Sequence, residues 1–400
     1  MTGVRDSRVT GYYIVLLVGV FGASVGFGLS RLALAKMLRD DLGASVLVVS
    51  SLTTWFMLAR AVASTLSGFL SQYSETAWRL LMSLPLPMVS LIVYVISGTD
   101  SIAAIIALNS AWGFMNGLLW PQAQAAASVL LRGLSGSGIA LYFAVGTLGI
   151  SLGQYLYAVT SLSNPDIVKT SSLAFLVASI PLISVAGRTT LTPKRVDRGG
   201  RVGLRGLRIG VVPAWIILAA YTTGYSGGIL REFLYIYLGE VFNLGRTELG
   251  SILALSGVVG LIAGVLVGPA SDKWGTTKML ALVLLMGFLG NLTLGLAHSP
   301  LQAFVGLTLA YSAGRSSMPL TRNLQAFNHP QALALLGLSN TLSNIGQMTG
   351  PLAAGKLYDT FHGKTLLGLP GEATPFIMAA ILLAATLAVY KIKIAGPKGL

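Results

Sequence analysis

Twelve stretches of mostly apolar residues follow one another along the 400-residue chain. About 20 apolar residues in a helix span the hydrocarbon core of a bilayer, so each stretch predicts a transmembrane helix. The segments between them are too short for a separately folded soluble domain. We therefore predict an all-α membrane protein, with helices at residues 11–38, 44–71, 78–97, 101–129, 136–160, 167–187, 210–239, 247–271, 277–297, 300–326, 331–357 and 371–392.

Composition excludes several classes of site. Charged residues make up only 10% of the chain, whereas a soluble protein of this size would carry about a quarter. The chain has no cysteine, which excludes disulfides, thiol catalysis and zinc–thiolate or iron–sulfur sites. The three histidines, His298, His329 and His362, all fall near predicted helix ends. We therefore expect neither a bound metal nor any other cofactor.

The basic residues are distributed unevenly between the two sides of the predicted helices. Only six of the 27 Lys and Arg residues lie in the loops on one side, and most of the others lie in the loops on the opposite side. Because cytoplasmic loops carry the excess of Lys and Arg, both termini are predicted to be cytoplasmic. The net charge of +14 is then a topology signal, and we expect lipids and a small-molecule substrate as partners, no nucleic acid, and a monomer.

The two halves of the chain resemble each other. Residues 26–38 align without gaps onto a sequence within 225–238, and residues 67–81 align onto 267–281, both with a shift of 200 positions. The predicted domains are an N-terminal bundle at residues 1–187, a basic cytoplasmic linker at 188–209 and a C-terminal bundle at 210–400. Duplicated halves in a membrane chain are typical of transporters whose substrate binds between the halves near mid-membrane.

A short motif follows the eighth predicted helix and resembles a signature of the major facilitator superfamily. The pattern Gly-x-x-x-Asp-basic-x-Gly-x-x-basic falls on Gly268, Asp272, Lys273, Gly275 and Lys278. We expect Gly268 to let helices approach closely, Gly275 to allow a tight turn, and Asp272 to pair with a cationic group at an inner gate.

The first half keeps only part of this motif. Gly68 is present, but Gln72, Tyr73 and Glu75 replace the acidic, basic and second glycine positions, which argues against a symmetrical gate. The fourth helix also resembles this family, through Gly113, Gly117 and Pro121, with Asn109 where arginine is common. The eleventh helix resembles it through Gly346, Gly350, Pro351 and Gly355. The resemblance covers essentially the whole chain and implies two pseudo-symmetric six-helix bundles.

Four arginines lie well away from the inner ends of predicted helices, where a charge costs at least a few kcal/mol. Arg60 and Arg315 lie roughly 10–12 Å from the inner edge, too deep to reach headgroups easily. Two roles are open for these arginines. They either coordinate an anion or pair structurally with carbonyls or a gate carboxylate. Arg31 and Arg231 are pseudo-equivalent and lie nearer the outer end, where they either snorkel or act at an outer gate. They resemble the arginine pair of organophosphate/phosphate antiporters, which implies capture of an anion.

Glu232 is the one carboxylate that lies away from the ends of a predicted helix. A continuous helix would place it on a stripe with Tyr221, Tyr225, Gly228 and Tyr235. A buried carboxylate suits a proton carrier, and a salt bridge with an arginine of another helix is the alternative. Side-chain amides on three helices either form hydrogen bonds between helices or line the substrate site. These residues are Asn109, Asn116, Gln154, Asn340, Asn344 and Gln347.

These patterns predict a secondary active transporter for a small organic solute. The excess of buried arginine favours an anion, moved by alternating access with proton coupling or by exchange. Multidrug or lipophile efflux and sugar transport are the alternatives. An integral membrane enzyme is disfavoured because no catalytic set is present, and ATP is not the direct energy source because no Walker-type loop is present. The predicted substrate ligands are Arg31, Arg60, Arg231, Arg315, Asn116, Tyr225, Asn340 and Asn344, with Glu232 as the proton-coupling residue.

Overall fold

The computed structural model describes residues 7–71, 74–130, 135–188, 211–328, 332–366 and 368–393. Gln72, Tyr73, His329 and nearly all of the predicted linker 188–209 lie outside the described residues. The α-helices are α1 (Ser7–Lys36), α2 (Val46–Leu70), α3 (Glu75–Ser83), α4 (Pro85–Ser97), α5 (Ile102–Leu130), α6 (Ser135–Val159), α7 (Asn164–Arg188), α8 (Val211–Ile229), α9 (Glu232–Val241), α10 (Arg246–Trp274), α11 (Thr276–Gly295), α12 (Pro300–Asn328), α13 (Ala332–Phe361) and α14 (Thr374–Lys393).

Short non-α elements complete the chain. A π-helical turn, Met37–Asp41, follows α1, and a 3-10 turn, Gly371–Ala373, precedes α14. Two-residue strands β1 (Thr365–Leu366) and β2 (Leu369–Pro370) pair antiparallel between α13 and α14.

Two of the predicted spans are divided into two helices each. The third becomes α3 and α4, which meet at Leu84 just before Pro85, a residue with no N–H for a helical hydrogen bond. The seventh becomes α8 and α9, because Arg231 leaves the helical conformation with φ −117° and ψ −128°. Gly227 and Gly228 lie in the last turn of α8, just ahead of this break, and glycines weaken a helix.

Each of the twelve predicted spans corresponds to one α-helix, or to two α-helices at the third and seventh spans. Within the described residues, eight helical stretches are long and apolar enough to cross a membrane. The other four predicted spans are α6, α8 with α9, α12 and α13. These four hold Tyr142, Glu232, Arg315 and Gln347 respectively.

The described residues form two compact units. Unit 1 contains residues up to 43, 55–188 and 246–254, and unit 2 contains 44–54, 211–245 and 255–393. In unit 2, the core is built around Trp215 of α8, whose indole Nε1 donates to the Thr386 carbonyl oxygen of α14 at 3.0 Å. The domain boundaries predicted from sequence stay a prediction.

The internal repeat is present in the helix packing of both units. In unit 1, α6 presents glycines to the backbone of α1, and in unit 2, α13 presents glycines to the backbone of α8. A Cβ on any of these glycines would overlap a main-chain oxygen, so each contact requires glycine. The oxygen and glycine pairs are Phe21 with Gly149, Val25 with Gly153, Tyr221 with Gly346 and Tyr225 with Gly350.

Candidate functional site

Arg31 lies in an aromatic box inside unit 1. Its guanidinium carbon is 5.7 Å from the ring centroid of Phe27, 4.9 Å from that of Phe56 and 5.3 Å from that of Trp112. Its Nη1 donates to Asn109 Oδ1 of α5. Only 2% of Arg31 is exposed, so the alternative that it snorkels to lipid headgroups is wrong. Cation–π contacts hold this charge within the bundle.

Arg60 occupies the middle of α2 and is half-buried. The exposed apolar side chains of the same helix, at Trp55, Leu58, Val62 and Leu66, lie on its opposite side. The Arg60 guanidinium therefore faces away from the apolar stripe. It interacts electrostatically with the buried hydroxyl of Tyr142 on α6.

The surroundings of Tyr142 extend this polar group. Its hydroxyl is hydrogen-bonded to the side chain of Gln124, and its ring makes an edge contact with Trp120 at 6.4 Å. The Trp120 indole Nε1 donates to Asn116 Oδ1, and the Asn116 amide donates to the Trp112 carbonyl oxygen at 3.0 Å. Asn116 thus connects the arginine–tyrosine pair of α2 and α6 to α5.

Arg315 lies on α12 in unit 2 and is exposed. It interacts electrostatically with Tyr311, one helical turn earlier, and with Tyr235 of α9. Tyr311 also donates to the Leu230 carbonyl oxygen at 3.4 Å. Within the described residues, no carboxylate is among the groups that interact with either Arg315 or Arg60.

Arg60 and Arg315 lie at corresponding helix crossings of the two units. In unit 1 the arginine is on the earlier of the two crossing helices and the glycine on the later one, and in unit 2 the reverse holds. In unit 1, a Cβ on Gly117 of α5 would overlap the Arg60 carbonyl oxygen of α2. In unit 2, a Cβ on Gly264 of α10 would lie 3.3 Å from the Arg315 Cβ of α12. Each unit therefore places one arginine opposite a glycine, and each arginine lies near a tyrosine.

Glu232 begins α9 and is 2% exposed. Its Oε2 accepts a hydrogen bond from the Thr53 hydroxyl of α2. The neighbouring Arg231 is half-buried, and its Nη2 donates to Gln347 Oε1 of α13 at 3.0 Å. The predicted continuous stripe is wrong, because the break at Arg231 leaves Tyr221, Tyr225 and Gly228 on α8 and places Glu232 and Tyr235 on α9.

The remaining predicted ligands differ in exposure. Tyr225 is buried on α8, Asn344 is half-buried and Asn340 is exposed on α13. Their assignment as ligands stays a prediction. Sequence reasoning missed Tyr311 and Thr53. A tyrosine one turn before an arginine is a detectable signal, but nothing in the sequence connects Thr53 with Glu232.

The predicted gate motif lies at the junction of α10 and α11. Gly275 has φ +89°, which glycine adopts without strain and which permits the tight turn expected there. Asp272, Lys273 and Lys278 are exposed. Among the described residues, a Cβ on Gly268 or Gly68 would meet no atom within 4 Å, so the expected close helix approach at Gly268 stays a prediction. The gating role of the motif stays a prediction.

Comparison with known proteins agrees with this architecture. The family model of the Major Facilitator Superfamily matches residues 16–326 and 216–399. "Multidrug resistance protein MdtG" of Dickeya zeae is 25% identical over 319 residues, which cover 76% of this chain and 77% of the relative. The relative of the same name from Erwinia billingiae is 26% identical over 132 residues, 32% of each chain.

Solved structures share the fold at low sequence identity. A mutant of the nucleoside transporter NupG has a TM-score of 0.79 at 12% identity, with 95% of this chain and 100% of that chain covered. A bacterial homolog of the human lysosomal transporter Spinster has a TM-score of 0.69 at 15% identity, with 97% and 96% covered. The chain belongs to the Major Facilitator Superfamily and is a multi-pass integral membrane transporter.

Proposed function

We propose that this chain is a secondary active transporter that moves a small organic anion across the plasma membrane by alternating access. Transport is driven by a proton gradient or by exchange. The chain acts as a monomer with both termini in the cytoplasm, as the distribution of Lys and Arg predicts.

One observation supports an anion as the substrate: an arginine lies near a tyrosine in each of the two units. Arg60 and Arg315 lie mid-helix, each near a tyrosine hydroxyl, and within the described residues neither interacts with a carboxylate. A positive charge inside a membrane helix is expensive unless a partner balances it. A carboxylate or phosphate of the substrate supplies that balance, since guanidinium binds both through two parallel hydrogen bonds.

The other candidate residues have supporting roles in this proposal. Asn116 orients the aromatic surroundings of Arg60 through Trp120, and Arg231 is oriented by Gln347. Asn340 and Asn344 on α13 and Tyr225 on α8 offer hydrogen bonds to the uncharged part of the substrate. The contacts of Arg31 within unit 1 favour a structural role, so we leave it out of the anion ligands.

Glu232 is the candidate proton carrier. It is a buried carboxylate in a membrane-spanning segment, where such groups are commonly part of ion pathways. With Glu232→Gln, we expect anion uptake to continue but to lose its dependence on an imposed pH gradient.

Uptake of labelled organic anions into proteoliposomes tests the anion assignment. Arg60→Lys and Arg315→Lys keep the charge but lose the planar fork, so each should reduce uptake by about tenfold or more. The matched control is Arg79→Lys, because Arg79 forms an exposed pair with Glu75 at the surface. Transport of only cations or neutral solutes by the purified protein would contradict the proposal.

Multidrug efflux is the second candidate, because relatives named "Multidrug resistance protein MdtG" match this chain. It predicts extrusion of lipophilic or cationic compounds without a requirement for either guanidinium. Dye efflux that persists in an Arg60→Lys, Arg315→Lys double variant would favour this function over anion transport.

A further inference from the structure

The beginning of α2 packs as part of unit 2. Residues 44–54, called here the α2 N-terminal segment, group with this unit, whereas the rest of α2 groups with unit 1. Asp359 of α13 accepts hydrogen bonds from the Val46 and Leu47 amides at 3.2 and 3.0 Å. A carboxylate at a helix N-terminus satisfies amides that have no partner inside the helix.

Two adjacent threonines attach the other end of the same segment. The Thr54 hydroxyl donates to the Met348 carbonyl oxygen of α13 at 2.8 Å. The Thr53 hydroxyl donates to Glu232 Oε2 of α9, and Thr53 is fully buried. One threonine thus binds a neutral acceptor and the other a carboxylate, although they are neighbours in the sequence.

This difference has a chemical consequence. A hydrogen bond to an ionised carboxylate is roughly twice as strong as one between neutral groups. Protonation of Glu232 therefore weakens the bond from Thr53 and leaves the bond from Thr54 to Met348 unchanged. Only one of the two attachments depends on the proton.

We propose that Thr53 is a positioning residue through which the protonation state of Glu232 controls how firmly the α2 N-terminal segment is held against α9 within unit 2. The ionised carboxylate holds the segment, and the protonated carboxyl releases it. This inference rests on the proposed function, in which Glu232 carries the proton, and adds the element that responds to it.

Other titratable and charged groups surround Glu232. Arg231 precedes it and Tyr235 follows on α9, while Tyr311 of α12 interacts electrostatically with both of these residues and with Glu232. Arg315 interacts with Tyr311 from the same helix. The arginines and tyrosines keep their charge state in the acid range, so they do not titrate with the carboxylate. Asp359, at the far end of the segment, is the rival acid-sensitive group.

Thiol labelling measures attachment of the segment directly, because the chain contains no cysteine. Val49 in the segment is fully buried, so Val49→Cys reacts with a maleimide only when the segment is released. Ser45, at the start of the same segment, is exposed, and Ser45→Cys corrects for the pH dependence of thiol reactivity. The measured quantity is the Val49→Cys labelling rate divided by the Ser45→Cys rate, in detergent and without substrate.

We expect this ratio to rise by up to about tenfold as the pH falls from about 8 through the range in which carboxyl groups take up a proton. Thr53→Val and Glu232→Gln should each give a high ratio that does not change with pH, whereas Thr53→Ser should keep the pH response. Thr54→Val, the matched control, should raise the ratio at every pH and still respond to pH. Asp359→Asn should also keep the response if Glu232 is the sensor.

The outcomes separate this inference from the proposed function. A pH response retained in Thr53→Val but lost in Glu232→Gln would overturn the inference alone. A response retained in both variants would overturn the assignment of the proton to Glu232, and a response lost in Asp359→Asn would place the sensor there. No response in the parent protein would also overturn the inference. Anion selectivity is decided separately by the uptake assay.

Discussion

Arg31 is the arginine whose surroundings the sequence predicted least well. Its position in a helix, and the high free-energy cost of a charge there, were predictable from the sequence. The aromatic box was not, because Phe56 and Trp112 come from α2 and α5 and meet Arg31 only through tertiary packing. By contrast, the sequence placed Arg60 and Arg315 within helices, as observed, although Tyr311 as the neighbour of Arg315 was missed.

A structural role for Arg31 predicts a loss of stability in Arg31→Lys. Lysine cannot keep the planar contacts with three rings and the bond to Asn109, so we expect a loss of about 1–3 kcal/mol. Thermal unfolding in detergent measures it. The control Arg79→Lys should change stability by less than about 1 kcal/mol. Unchanged stability with a large loss of anion affinity would instead make Arg31 a substrate ligand.

At the level of helices, the duplication was visible from sequence only in part. A shift of 200 relates α1 to the seventh span and α2 to the eighth. The correspondence of α6 with α13 has a shift of 197, as in Gly149 with Gly346, so a fixed shift conceals it. The spacing of two glycines four residues apart on both helices was the available signal. The break at Arg231 was missed, because glycines near a helix break and glycines at a close helix contact look alike in a sequence.

The glycine contacts predict a sharp difference between two positions on α1. A Cβ on Gly28 would overlap the Ile150 carbonyl oxygen of α6, whereas a Cβ on Gly11 would meet nothing within 4 Å. Gly28→Ala should therefore lower the free energy of unfolding by about 1–3 kcal/mol or prevent folding, because the backbones of α1 and α6 cannot move apart without strain. Gly11→Ala should be neutral or stabilising by up to about 1 kcal/mol. Thermal unfolding and the yield of monodisperse protein measure both, and equal effects would refute the packing argument.

For the whole molecule, the fold followed from hydrophobicity, because a bilayer permits few architectures. Backbone groups in lipid must be satisfied within each segment, so long apolar runs become helices. The site was less predictable, since it depends on which helix faces meet, and periodicity alone does not determine that. Thr53 and Glu232 lie far apart in the chain, and their contact depends on how residues 44–54 pack against α9 within unit 2.

The gate motif supports a prediction about the transport cycle as a whole. Asp272 is exposed near the turn at Gly275, in the motif expected at an inner gate, so its substitution should affect conformational change more than substrate recognition. Asp272→Asn should slow turnover by about tenfold while changing ligand affinity less than twofold, because a group that contacts no ligand acts only through the balance between states. Uptake rates in proteoliposomes measure turnover, and ligand-induced thermal shifts measure affinity. Asp100→Asn, in the exposed turn before α5, is the control and should change neither. Equal losses of affinity and turnover in Asp272→Asn would place this carboxylate at the substrate instead of at a gate.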